Sequence, residues 1–247
     1  MFLTKFDGRK EKFDPEKIVQ ACTLVGCSPD TAQQISETIT RRSPQSSSDI
    51  HSMILETVDA KAARLLMQRD AIARLDAPSF EMYVRRVLEG AGYKCKWNVM
   101  IQGKCVEHQI DVLAQKGDKT YVVECKHHRN QHRYMGLDTA LEMQARIEDL
   151  GDYSAWIVTN TKFSDHAKQY ARKKGILLSG WKHDQDISLE KLITHRTLPV
   201  TVLKVSEALH RAMIKNNIIT LGDVESADRS LLDNLCGKET QVVLSQL

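Results

Sequence analysis

Apolar and polar positions follow a helical rhythm over the first third of this chain. Ile18, Val19 and Cys22 recur at helical spacing, as do Ala32, Ile35 and Ile39, and then Ile50, Ile54 and Val58. Residues three or four apart share one helix face, so each run predicts an amphipathic helix. Each run also has a start signal. Asp14-Pro15 and Ser28-Pro29 place a capping side chain before a proline in the first turn. Asp49 is expected to open a third helix that continues towards Leu75. The polar, serine-rich stretch Arg41 to Ser48 reads as a loop. Ahead of the first helix, Asp7-Gly8 is a strong turn signal, so residues 1–13 are expected to form a short hairpin.

The rhythm changes at Asp76-Ala77-Pro78. A helix carrying Phe80, Val84, Val87 and Leu88 ends at Gly90 and Gly92. Strand-like stretches follow at Tyr93 to Ile101, His108 to Ala114 and Thr120 to Cys125, with Gly117-Asp118 as the turn between the last two. Leu137 to Leu150 reads as a helix, Ala155 to Thr159 as a strand buried on both faces, Asp165 to Lys174 as a helix and Ile176 to Leu178 as a strand. Beyond Pro199 the pattern turns helical again through Leu209, Met213 and Ile218, then a turn at Gly222-Asp223, then Leu231, Leu232 and Leu235. The fold class expected is α/β (α+β), a central mixed sheet flanked by helices. Three segments are expected: 1–75, 76–198 and 199–247.

Composition narrows the class. The 247 residues are 42% hydrophobic and 27% charged, ordinary values for a folded globular protein. No apolar run approaches the length that spans a bilayer, and the first residues lack a basic segment leading into an apolar one. A cytoplasmic location without membrane contact is the default expectation. Six cysteines are scattered among apolar neighbours without a C-x-x-C pair, which predicts reduced core residues rather than zinc ligands or disulfides. The net charge of +3 says little, but its distribution says more. No acid lies between Lys126 and Asp138, while Lys126, His127, His128, Arg129, His132 and Arg133 fall there. Lys168, Arg172, Lys173 and Lys174 form a second basic group. Such clusters suit a polyanion, although without a neighbouring motif the solvated-face reading is preferred.

The chemistry centres on Asp111, followed after twelve intervening residues by Glu124-Cys125-Lys126. Side chains alternate along a strand, so Glu124 and Lys126 share a face and Cys125 points away. The Gly117-Asp118 turn folds Asp111 back towards Glu124. Two carboxylates at short range suit a hard divalent cation, which offsets phosphate charge and activates water. Lys126 can orient or deprotonate that water, or hold the phosphate. Glu-x-Lys is common on strands, but here the acids sit among Ile110, Val112, Val122 and Val123, where surface charge is not expected. The basic run also follows Lys126 directly.

The order of the helix with Phe80-Glu81, then His108-Gln109-Ile110-Asp111-Val112, then Val123-Glu124-Cys125-Lys126 resembles the PD-(D/E)XK restriction-endonuclease-like superfamily, nearest its Mrr-type branch. The resemblance covers residues 76–182. It implies metal ligation by Asp111 and Glu124, with Mg²⁺ or Mn²⁺ as the ion, and a catalytic role for Lys126. Glu81 matches a helix acid that assists the metal site in that family; a helix N-terminal acid favoured by the dipole explains it equally well. Gln144, on the following helix, matches a polar position near the site in many relatives. His127, His128, Arg129 and Arg133 are then candidate DNA contacts.

The first segment resembles the ATP-cone, a nucleotide-sensing module, through Thr4-Lys5-Phe6-Asp7-Gly8, Glu11, Phe13-Asp14-Pro15-Glu16-Lys17-Ile18 and Ser47-Ser48-Asp49-Ile50-His51. The resemblance implies phosphate contacts from Lys5 and Lys17, a base flanked by Leu3, Phe13 and Ile18, and polar contacts from Glu11 and Ser47. Phe6 stands where relatives usually have Arg. The tail resembles a degenerate helix-hairpin-helix-type or polymerase α-C-terminal-type helical domain through Asn217 to Val224, with a small helical bundle for protein contacts as the alternative. The expected function is metal-dependent DNA endonuclease activity, modulated by ATP or dATP and exercised as a homo-oligomer in restriction, repair or recombination. The alternatives are a nucleotide-sensing DNA-binding regulator with an inactive nuclease fold and a structure-specific junction resolvase.

Overall fold

The computed structural model describes residues 2–4, 10–24, 27–58, 60–131, 133–181 and 187–247. The chain divides into two compact units, Met1–Gln68 and Arg69–Leu247.

The first unit opens with β1 (Phe2–Thr4) and β2 (Lys10–Lys12), paired antiparallel with Leu3 opposite Glu11. The expected Asp7-Gly8 turn lies outside the described residues. Helices α1 (Glu16–Leu24), α2 (Pro29–Arg41) and α3 (Ser47–Thr57) follow, and α4 (Ala60–Ala73) runs across the boundary between the units. The interior is built from the periodic positions: Ile18, Cys22, Ala32, Ile35, Ile39 and Ile54 form its core. Ser28 caps α2 by accepting the Thr31 N–H at 3.1 Å. The long third helix expected from Asp49 is instead two helices. The first starts at Ser47 because Ser46 accepts the Asp49 N–H while the Asp49 carboxylate accepts the Ser46 N–H at 2.9 Å, a reciprocal capping box. It stops at Thr57 because Val58 takes an extended backbone.

In the second unit, Asp76 caps α5 (Ala77–Gly90) by accepting the Ser79 N–H at 2.9 Å. Five strands form one sheet: β3 (Lys94–Gln102), β4 (Glu107–Lys116), β5 (Lys119–Lys126), β7 (Ser154–Thr159) and β9 (Leu177–Ser179), in the order β3-β4-β5-β7-β9. The first two pairings are antiparallel and the last two parallel, so the sheet is mixed, as expected. Gly117, at φ +59°, makes the tight β4–β5 turn. A small parallel pair, β6 (Tyr134–Met135) with β8 (Lys162–Phe163), has no counterpart in the sequence reading. Between the strands lie α6 (Leu137–Leu150) and α7 (Asp165–Lys174).

Helix α5 packs against β3, β4 and β5 and buries Phe80, Tyr83, Val84, Val87 and Leu88. Ala140 and Met143 of α6 and Ala167 and Ala171 of α7 share a second core with Ile110, Val122, Ile157 and Leu178 of the sheet. Small alanines on both helices let them approach the sheet closely.

The remaining helices are α8 (Leu189–Leu192), α9 (Glu207–Lys215), α10 (Leu221–Ser226), α11 (Arg229–Cys236) and α12 (Thr240–Leu244). They belong to the second unit. The Thr201 hydroxyl donates to the Ala71 carbonyl at 2.7 Å, and Arg86 of α5 pairs with Asp223 at 3.0 Å. Gly222-Asp223, expected as a turn, lies inside α10. Thr220 caps that helix, and Asp223 returns a bond from the Thr220 N–H at 3.0 Å. No helix among the described residues is long and apolar enough to cross a membrane.

Candidate active site

Asp111 sits where β4 loses both of its ladders. The β3–β4 register runs from Lys94↔Gln115 to Trp97↔Val112 and resumes at Val99↔Ile110, skipping Asn98 and Asp111. The β4–β5 register stops at Val112↔Val123, one step before Asp111 would meet Glu124. At the break, Asn98 is held in the left-handed region, φ +51°, and its side-chain oxygen accepts a bond from Gln109 at 2.7 Å. The Cys125 N–H donates to the Asp111 carboxylate at 2.7 Å. A side chain thus replaces a main-chain acceptor, which turns the carboxylate towards β5. Interrupted ladders and left-handed residues of this kind cluster at functional sites.

Glu124 shares the β5 face with Lys126, as alternation requires, and their charged ends lie 2.6 Å apart. Its other oxygen is held by Arg146, which reaches across from α6. Burial opposes charge on Glu124, but the Lys126 hydrogen bond and the Arg146 charge outweigh it and hold the carboxyl below its ordinary range. Burial likewise opposes charge on Lys126, and the Glu124 bond overcomes it, keeping the amine protonated. Burial, then the Glu124 charge, push the Asp111 carboxyl up to about 7, against the opposing Cys125 bond and the weaker pull of the Arg146 charge. The two carboxyls are therefore driven apart in acidity by their surroundings.

Glu81 on α5 accepts the Trp97 indole N–H at 3.2 Å and lies within electrostatic reach of Asp111, Glu124 and Lys126. Burial raises its carboxyl, and the Trp97 bond opposes that. Arg146 was not anticipated in the sequence. Its one visible signal is that it is the lone cation on α6, among Asp138, Glu142, Glu148 and Asp149. Gln144 instead bonds Glu148, one turn along its own helix, at 2.8 Å. The end of α6 is anchored by Asp149, whose carboxylate accepts the Cys105 N–H at 2.7 Å and lies 2.7 Å from His108 Nε2. This clamp ties the helix bearing Arg146 to the β3–β4 connection.

The basic run after β5 splits in two. The His127 ring lies 3.1 Å from the Ile72 carbonyl and packs on Phe80 with ring centres 5.2 Å apart; burial lowers its basicity. The His128 main chain is bracketed by Asn160, through bonds of 2.9 and 2.7 Å, and its ring lies 2.9 Å from Met135 Sδ. Both histidines face inward, whereas Arg129 and Arg133 are exposed. The second basic group falls at the far end of the sheet. Lys173 and Lys174 end α7 just before β9 begins opposite Trp156, while Lys126 lies opposite Thr159.

Residues 72–182 match the Mrr_cat restriction endonuclease family. An uncharacterised protein of Archaeoglobus fulgidus is 36% identical over 167 residues, which cover 65% of this chain and 95% of that protein. The crystal structure of AF1548, a protein of unknown function, aligns at 34% identity and TM-score 0.60 over 69% of this chain and 96% of the other. This chain belongs to their family, on an Mrr-type restriction-endonuclease-like domain. Can2 from Sulfobacillus thermosulfidooxidans, solved with cyclic tetra-adenylate, aligns at 18% identity and TM-score 0.34 over 40% of this chain and 32% of its own, too slight a likeness to carry an argument.

Nucleases with this restriction-endonuclease-like domain generally use divalent metals. Among the described residues no group of three or more His, Cys, Asp or Glu is arranged to hold a metal ion. The pair itself fits Mg²⁺, which is commonly held by one or two carboxylates and completes its shell with water and phosphate oxygens. It lacks the Cys and His ligands that make up a closed structural zinc site.

In the first unit, Leu3 and Ile18 are interior residues and Phe13 packs partly against the same core. Lys17 pairs with Glu11, and Ser47 is the first residue of α3. Lys5 lies outside the described residues. Glu11, Lys17 and Ser47 remain at least partly open to solvent.

Proposed function

We propose that the chain is a metal-dependent endodeoxyribonuclease whose activity responds to ATP or dATP. The observation that carries this reading is the convergence of Asp111, Glu124 and Lys126 where β4 parts from β5, inside a restriction-endonuclease-like domain. Asp111 and Glu124 would hold Mg²⁺, or Mn²⁺ in its place, and the ion would supply a Lewis acid for the phosphate and a water of lowered pKa. Lys126, kept protonated by Glu124, supplies fixed positive charge for the scissile phosphate. Arg129 and Arg133, exposed beyond the strand, contact the flanking DNA backbone. Glu81 assists from α5.

The first unit is the nucleotide sensor in this reading. Lys5 and Lys17 contact phosphates, Glu11 and Ser47 make polar contacts, and the Leu3, Phe13 and Ile18 region offers the apolar wall for a base. The active form is a homo-oligomer. Plasmid cleavage in Mg²⁺, with and without ATP, tests the whole proposal. Asp111→Ala and Lys126→Ala are each expected to lower the rate on the order of a hundredfold or more. Cleavage that survives either change removes the site assignment. A second reading, a DNA-binding regulator without cleavage, draws support from the double neutralisation of Glu124 by Lys126 and Arg146. It expects salt-dependent DNA binding and intact plasmid in every divalent metal.

A further inference from the structure

Both oxygens of Glu124 are occupied by cationic side chains: Oε1 by Lys126 and Oε2 by Arg146. A divalent cation shared with Asp111 requires one of those oxygens. The two competitors differ in how easily they leave. Lys126 is two residues along the same strand and shares its face with Glu124, so the backbone keeps it there. Arg146 arrives from a different element on a long stem, and its side chain is a quarter exposed. A doubly charged ion beside Glu124 repels the guanidinium and attracts the carboxylate, so Arg146 is the group displaced. It cannot lose its proton to escape the repulsion, because arginine stays charged. Its alternative partner must be an anion. Of the acids on α6, Glu148 is taken up by Gln144 and Asp149 is committed to the Cys105–His108 segment, which leaves Glu142, one turn back on the same helix, as the protein's own competitor for a phosphate.

We propose that Arg146 is a positioning residue that braces Glu124 while no cation is bound and, once displaced, holds a DNA phosphate through its planar fork. This rests on the nuclease reading above and adds a coupling to it: cation binding creates a phosphate contact, so the protein grips DNA more tightly when the ion is in place. Arginine, unlike lysine, can make two parallel hydrogen bonds to one phosphate, which suits a group with two alternating anionic partners.

The test uses the full chain with Ca²⁺ as the cation and a short fluorescent duplex as the polyanion. Calorimetry measures cation binding without DNA, and anisotropy measures duplex binding in EDTA and in Ca²⁺. In the unaltered protein Ca²⁺ is expected to tighten duplex binding by a factor on the order of ten. Arg146→Gln removes the competitor, so Ca²⁺ is expected to bind more tightly while the Ca²⁺-dependent gain in duplex affinity is largely lost. Arg146→Lys keeps a competing charge but not the fork. It should bind Ca²⁺ as the unaltered protein does and recover only part of the gain, and it serves as the test if Arg146→Gln does not fold. Ca²⁺ affinity that is unchanged or weaker in Arg146→Gln, with the duplex gain intact, overturns the proposal and leaves Arg146 a structural brace. Ca²⁺ binding that survives Asp111→Ala overturns the two-carboxylate site itself, and this proposal with it.

Discussion

Asn98 offers a sharp check on the backbone at the site. It lies mid-strand, where the β3–β4 register skips Asn98 and Asp111, and stands at φ +51°. The left-handed conformation costs a residue with a β-carbon roughly 1–2 kcal/mol, and asparagine lessens this through local hydrogen bonds. Here the Asn98 side chain accepts from Gln109. Asn98→Ala loses that bond, about 0.5–1 kcal/mol at an exposed position, and takes the larger backbone penalty, for a total of about 1–2 kcal/mol. Asn98→Gly loses the same bond but has no penalty at positive φ, and is set back only by about 0.4–1 kcal/mol from a looser unfolded chain. The glycine variant is therefore expected to be the more stable by about 0.5–1 kcal/mol. That inverts the usual order for a strand interior, where glycine is the weaker residue. Urea unfolding followed by tryptophan fluorescence reads the second unit alone, because Trp97, Trp156 and Trp181 all lie within it. An alanine variant as stable as the glycine one, or more so, refutes the argument that the strand is bent at this residue.

Other consequences follow from single contacts. Asp76→Ala is expected to cost about 1 kcal/mol at pH 7 through loss of the α5 cap. The Ser79 bond holds the Asp76 carboxyl below its ordinary range in the folded chain, so its contribution is present above about pH 4 and fades as acid protonates it. Stability curves of the two proteins should converge as the pH is taken well below the ordinary carboxylate range, and a gap that persists in strong acid assigns the loss to packing instead of charge. Gly180→Ala would place a β-carbon 3.0 Å from the Thr161 carbonyl and 3.1 Å from the Phe163 ring, with an expected overpacking cost of about 1–3 kcal/mol in thermal unfolding. No measurable loss would mean that this turn is loosely packed. Trp97→Phe removes the indole donor to Glu81. If Glu81 serves the metal site, the Mg²⁺ needed for half-maximal cleavage rises; an unchanged requirement removes Glu81 from that site.

The local terms of this fold are readable from residue spacing. Ile18, Cys22, Ile35 and Ile39 announce their buried helix faces, and Asp76 and Ser28 announce their caps, because these features depend on neighbours within one turn. The Glu124–Lys126 pairing needs only strand alternation, and the approach of Asp111 needs only a two-residue turn at Gly117-Asp118. In sequence Asp49 has the signature of a helix start and Asp223 that of a turn, because a capping-box acid at the third helical position has the same composition as either. What lies beyond one turn or one hairpin was decided by packing. Arg146 meets Glu124 only because α6 settles over the sheet at a particular height, fixed by Ala140, Met143 and the Asp149 clamp. Trp97 finds Glu81 through the way α5 crosses β3, and His127 turns inward because Phe80 and the Ile72 carbonyl offer it a place. The C-terminal helices join the second unit through Thr201 and Asp223. Spacing along a chain encodes which side chains share a face, whereas the partner across a packed interface depends on the translation and rotation of whole elements, and only the assembled structure holds that information.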